Sequence, residues 1–111
     1  MSKPLAILIL FFAAVLEAGG DAVVRHALRQ SPGGMRWLTF AAGALILFAY
    51  GYTVNAPDWD FGRLLGLYVV FFFVVAQLMS WLIFHQPPNL STMIGGALIL
   101  AGGLVIGIAN A

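Results

Sequence analysis

Four runs of about twenty apolar residues, each closed by a short cluster of helix breakers, occupy nearly the whole of this 111-residue chain. The first, from about Pro4 to Leu28, is followed by Gln30, Ser31, Pro32, Gly33 and Gly34. The second, Met35 to Val54, ends at Asn55, Ala56, Pro57 and Asp58. The third, Phe61 to Phe84, is stopped by His85, Gln86, Pro87, Pro88 and Asn89, and the fourth runs from Leu90 to Ala109. A hydrocarbon layer of about 30 Å is crossed by about 20 helical residues rising 1.5 Å each, so each run is long enough to span it once. Proline and glycine fall where the pattern breaks, as expected of turns. A β-barrel is excluded, because its strands alternate in polarity over roughly ten residues whereas these runs are continuous. The expectation is an all-α membrane protein, a single domain over 1–111 with four transmembrane helices at 4–28, 35–54, 61–84 and 90–109. Short connections predict that successive helices are antiparallel neighbours in one compact bundle, with both termini on one side.

Composition narrows what such a bundle does. Hydrophobic residues make up 62% of the chain and charged residues 8%, against roughly a quarter charged in soluble domains. No length remains for a soluble domain. Cysteine is absent, which removes disulfides and thiolate metal sites, and a net charge of +1 does not argue for nucleic acid. Lys3 and the run Leu5 to Leu16 imitate a signal peptide, but no small-residue cleavage site follows and the run continues past Glu17, so Met1 is read as the mature start. Trp37, Trp59 and Trp81 lie near helix ends, where indoles anchor at the headgroup level. Lys3 and Arg63 mark the side of the termini, and Arg25, Arg29 and Arg36 the other. Three cations against two orient a chain only weakly, with loop 1–2 leaning toward the cytoplasm, and dual topology is compatible with that balance.

Glu17 is the feature that points to chemistry. It lies about 20 Å along the first helix, inside the hydrocarbon, where a carboxylate costs a few kcal/mol. Such a group can hold a proton in one state and a cation in another; the structural alternative is a neutral glutamic acid hydrogen-bonded between helices. Asp21 and Arg25 follow at spacings of four, forming one stripe with Glu17. Asp21 and Arg25 read most simply as an ion pair near the interface, and the sharper alternative makes Asp21 an outer carboxylate feeding Glu17. Tyr68 in the third helix is either a pocket wall or an interhelical hydrogen-bond donor. Of the three adjacent phenylalanines Phe71, Phe72 and Phe73, at least one is expected to meet lipid. In the fourth helix Gly95 and Gly102, and Gly96 and Gly103, are seven apart, and Gly103 and Gly107 form a small-xxx-small pair. Such faces admit close helix packing within a protomer or between protomers. His26 and His85 stand at helix ends without further ligands at metal spacing. No phosphate loop, nucleophile constellation or paired catalytic carboxylates on soluble elements occur, so neither an enzyme nor a cofactor is expected.

The chain resembles the small multidrug resistance family of the drug/metabolite transporter superfamily. Leu78-Met79-Ser80-Trp81, Phe84, Gln86, Leu90, Ile94-Gly95 and Ala101-Gly102 are similar to that family's third-helix end, loop and fourth helix, and Leu16-Glu17, Gly20 and Arg25 to its first helix. Trp37-Leu38, Ala42-Gly43 and Gly62-Arg63 leading to Tyr68 resemble the YnfA-type relatives. The resemblance implies a multi-pass protein of the bacterial cytoplasmic (inner) membrane that forms an antiparallel, dual-topology dimer, homomeric or heteromeric. Two copies of Glu17 would bind protons and a small organic or guanidinium-like cation competitively, with Tyr68 as a wall, Asp21 nearby, and Gly95, Gly102 and Gly103 in helix packing. Departures from the pattern are Tyr68 and Leu65 where the family has tryptophan and tyrosine, Val70 and Phe72 in place of a glycine hinge, and the added charge of Asp21. Proton-coupled export is the expected function. A flippase subunit for lipid-linked sugars or amphiphiles, or a non-transport partner of a larger membrane protein, are the alternatives.

Overall fold

The computed structural model describes residues 2–109, which form four helices: α1 (Lys3–Arg29), α2 (Gly33–Val54), α3 (Phe61–Leu82) and α4 (Leu90–Ala109). All four are long and apolar enough to cross a membrane, so the chain is a multi-pass membrane protein. Local chemistry sets their ends. Ser2 caps α1, its hydroxyl accepting from the Leu5 amide, and Pro4 sits in the first turn, where its missing N–H is not needed. The Asn89 carboxamide oxygen accepts from the Thr92 amide at 2.8 Å and the Ser91 hydroxyl at 2.9 Å, starting α4. Gly33 takes φ +55 at the head of α2, a left-handed conformation that suits glycine. The third helix ends at Leu82, two residues short of the expected Phe84. There the chain turns through His85 at φ 56, and Ser80 and Gln86 close the turn, Ser80 O accepting from Gln86 N at 2.9 Å and Ser80 Oγ donating to Gln86 O at 2.9 Å.

Spatial order departs from chain order. The most central helix is α1, which packs along α2 on one flank and α3 on the other, while α4 makes its extended contact with α3. Thus α2 and α3, although joined by a short loop, are not backbone neighbours; they meet through side chains, chiefly Tyr50 and Tyr68. The expected closed bundle of successive neighbours is corrected to an open array measuring 50 × 34 × 19 Å, only about two helices thick.

Small residues on α1 explain its position. Ala6, Ala13, Ala14, Ala18 and Ala27 are buried with Leu10, giving a narrow helix surface against which larger neighbours close. At the α1–α2 crossing, Gly20 faces Leu47 and Gly43 faces Val24; a Cβ at either would lie 2.7 Å from the opposing side chain. Lipid tails are as apolar as these side chains, so contact of this kind, rather than escape from water, holds membrane helices together. The α3–α4 seam follows the same logic. Phe73 lies over Gly96, Val70 against Gly103 and Leu67 beside Gly107, so bulk on α3 is matched by glycine on α4. Phe71 and Phe72 pack against the core and Phe73 against α4, and all three are only partly exposed.

Candidate functional site

The mid-membrane carboxylate and the third-helix tyrosine meet. Glu17 on α1 accepts a hydrogen bond from the Tyr68 hydroxyl on α3, with Oε1 2.8 Å from the phenol oxygen. Tyr68 is 4% exposed and lies in the apolar cluster with Leu10, Ala13, Ala14, Ala18, Leu64 and Val75. Of its two readings, the interhelical hydrogen-bond donor is the one this arrangement shows. Tyr68 also contacts Tyr50 of α2 and Phe72 one turn along α3, with ring centres at 5.6 Å and 6.3 Å. Three helices thus converge on one carboxylate. No buried side-chain oxygen in the described chain lacks a partner, and Glu17 makes this one bond, so its second oxygen reaches the protomer surface.

Tyr50 was not singled out from the sequence. A signal was present: Gly43, Tyr50 and Val54 recur at helical spacing on the face that α2 turns inward. Trp59, read as an anchor, is half-buried against the core, whereas Trp37 is 72% exposed.

Asp21 and Arg25 are corrected. They share a helix face, but no ion pair joins them; the one salt bridge among the described residues is Arg63 with Asp60, at 2.8 Å on the surface. The Arg25 guanidinium lies over the Phe84 ring instead, 5.4 Å from its centre. An aromatic face attracts a cation without requiring a desolvated carboxylate, and the turn after α3 brings Phe84 within reach. Asp21 is exposed and lines a cleft of about 280 Å³ between α1 and α3, together with Phe72, Ser80 and Phe84.

The fourth-helix glycines divide between two faces. Gly103 is buried in the α3–α4 seam against Val70, whereas a Cβ at Gly95 or Gly102 would meet nothing within 4 Å. Among the described residues no three histidine, aspartate or glutamate side chains gather as a metal site. The phenol that holds the Glu17 carboxylate is itself flanked by the rings of Tyr50 and Phe72.

Residues 5–111 match the family model described as "Uncharacterised BCR, YnfA/UPF0060 family". Among similar proteins is a UPF0060 membrane protein of Herpetosiphon aurantiacus, 32% identical over 104 residues covering 91% of each chain. Another, from Clostridium beijerinckii, is 33% identical over 103 residues, 91% of this chain and 90% of the relative. The UPF0060 membrane protein YfjF of Bacillus subtilis is 36% identical over 104 residues, 92% of each chain. No solved structure matches the chain. The likeness noted around Trp37, Gly43 and Gly62 thus extends along the whole molecule, and the chain belongs to the YnfA/UPF0060 family of membrane proteins.

Proposed function

We propose that this protein is a proton-coupled transporter of small organic cations, related in mechanism to the small multidrug resistance proteins and working as an antiparallel dimer in the cytoplasmic membrane. The observation that carries the reading is Glu17: a carboxylate inside a membrane-spanning helix, held through one oxygen by Tyr68 and open through the other. A purely structural hydrogen bond between α1 and α3 needs only a neutral acceptor, which glutamine supplies without the cost of a group that can ionise in hydrocarbon. Tyr50, Tyr68 and Phe72 provide the aromatic surroundings a desolvated cation prefers. Proton and cation compete for one carboxylate, so arrival of the cation displaces the proton.

The shape of the protomer supports a second copy. An array 19 Å thick cannot enclose a pathway, and the open oxygen of Glu17 lies at its surface. Two protomers facing each other would close a chamber around both Glu17 side chains, which would then titrate as a coupled pair. Gly95 and Gly102 on the open face of α4 offer a further close approach between copies, and Asp21, exposed one turn from Glu17, is placed to relay cations or protons.

The test is proton release from purified protein in detergent on addition of tetraphenylphosphonium or guanidinium. Wild-type protein is expected to release protons and to bind more weakly as pH falls. Glu17→Gln should abolish both, and binding that persists unchanged in this variant refutes the reading.

A further inference from the structure

The membrane face that carries loops α1–α2 and α3–α4 is cationic beyond the needs of its own fold. Arg25, Arg29 and Arg36 lie there, three of the chain's five lysines and arginines, while Asp58 and Asp60 lie at the opposite end and Glu17 and Asp21 lie deeper in α1. Arg36 has an internal partner, its Nε donating to the Ser31 carbonyl at 3.1 Å. Among the described residues, no carboxylate lies within salt-bridge distance of Arg25 or Arg29. They stand one helical turn apart on α1, a like-charge spacing that disfavours the helix, and Asp21, one turn before Arg25, offsets it only from a distance, since no ion pair joins the two. The dipole at the α1 C-terminus welcomes positive charge, but it amounts to about half an elementary charge, well short of two guanidinium groups.

These two arginines and His26 form one wall of a cleft of about 450 Å³, and Ile83, Phe84 and Gln86 of the turn after α3 form the other. Phe84 positions the Arg25 guanidinium at 5.4 Å, leaving its in-plane N–H groups available to oxygen acceptors. Of the apolar side chains in its lining, Ile83 is 56% exposed, and Leu82, next to it in the chain, is 71% exposed. A guanidinium pair at the headgroup level, open above and bordered by apolar surface, complements a phosphodiester attached to acyl chains.

We propose that this cleft seats the headgroup of an anionic membrane phospholipid, with its phosphate between Arg25 and Arg29 and its acyl chains running past Ile83 and Leu82. Gln86 supplies an amide to the headgroup from the α3–α4 turn. The site is separate from Glu17 and holds whatever the cargo of that residue. By fixing lipid to both α1 and the α3–α4 turn, it ties together two parts of the protomer that the chain itself does not connect directly.

Native mass spectrometry of the full chain, titrated with phosphatidylglycerol or phosphatidylcholine, tests this. Wild-type protein is expected to retain one phosphatidylglycerol in preference to phosphatidylcholine. An arginine near an anionic lipid surface is worth about 1 kcal/mol, or about fivefold, so R25Q/R29Q should bind about twenty-five-fold more weakly. R36Q, outside the cleft and with its guanidinium already engaged by the Ser31 carbonyl, is a surface change that should stay within about twofold. Equal retention of phosphatidylcholine, or equal losses in R36Q and the double variant, would overturn the proposal in favour of diffuse surface charge. Displacement of the lipid by an equal concentration of inorganic phosphate would reassign the cleft to a soluble anion and overturn it too. A photoactivatable phosphatidylglycerol asks the same question of unmutated protein: labelling confined to residues 25–30 and 83–86 supports the site, and labelling spread along all helices refutes it.

Discussion

Replacing Tyr68 by phenylalanine removes one hydroxyl and leaves the ring, so it isolates the bond that joins α3 to the membrane carboxylate. The contact with Tyr50 at 5.6 Å and the packing against Leu10 and Leu64 survive, because both belong to the ring. What is lost is a hydrogen bond of 2.8 Å from a side chain only 4% exposed. Interhelical hydrogen bonds in membrane proteins average about 0.6 kcal/mol and reach about 1.7, and bonds to charged groups are worth about 1.5–3 kcal/mol. Water has little access to Tyr68, so the upper part of the membrane range applies: about 1–2 kcal/mol, a factor of about 5–30 in the folding equilibrium. The measurement is a double-mutant cycle of Tyr68→Phe and Glu17→Leu, with unfolding in mixed micelles followed by helicity. The coupling energy should fall in that range. Glu17→Gln retains an acceptor, so Tyr68→Phe should remain destabilising in its background. A Glu17→Leu coupling below about 0.5 kcal/mol, the level at which independent sites already add, would show that the bond contributes nothing and would remove the argument that α3 holds the carboxylate in place.

Two further outcomes follow from the packing and the topology. Gly103→Val drives a side chain into Val70 and should destabilise the protomer by about 1–3 kcal/mol, whereas Gly51→Ala in α2, with nothing within 4 Å, should be neutral or stabilising by up to about 1 kcal/mol; thermal melts in detergent compare them. Because the chain has no cysteine, single substitutions at the exposed positions Gln30 and Asp58 report membrane orientation cleanly. Each is expected to be labelled from both sides of the membrane in a dual-topology population, and labelling of each from one side alone would rule out the antiparallel dimer.

Much of the molecule is legible in one dimension. Helix number, approximate helix ends and the oddity of Glu17 depend on properties that a residue carries with its neighbours in sequence: apolar run length, proline and glycine placement, and the cost of a carboxylate in hydrocarbon. Partnership is different. Arg25 has Asp21 four residues away and yet rests on Phe84, because the turn after Leu82 places an aromatic ring where no spacing rule looks. Tyr50 draws no notice in one dimension; its role follows from α1 holding α2 and α3 with the two tyrosine rings touching between them. The two seven-spaced glycine pairs of α4 look alike in sequence and separate once α4 is docked, Gly96 and Gly103 into a seam and Gly95 and Gly102 into the open.

The sequence by itself determined that this chain crosses a membrane four times and carries an acid where lipid would exclude one, since both follow from transfer free energies that each segment bears alone. Only the tertiary structure decided which helices are neighbours and what Glu17 touches. In a bilayer every apolar surface is equally content with lipid, so hydrophobicity cannot choose among helix pairings. The choice falls to the fit of shapes, the alanines of α1 and the glycines of α2 and α4 against particular bulky partners, and shape complementarity exists only once the helices are side by side.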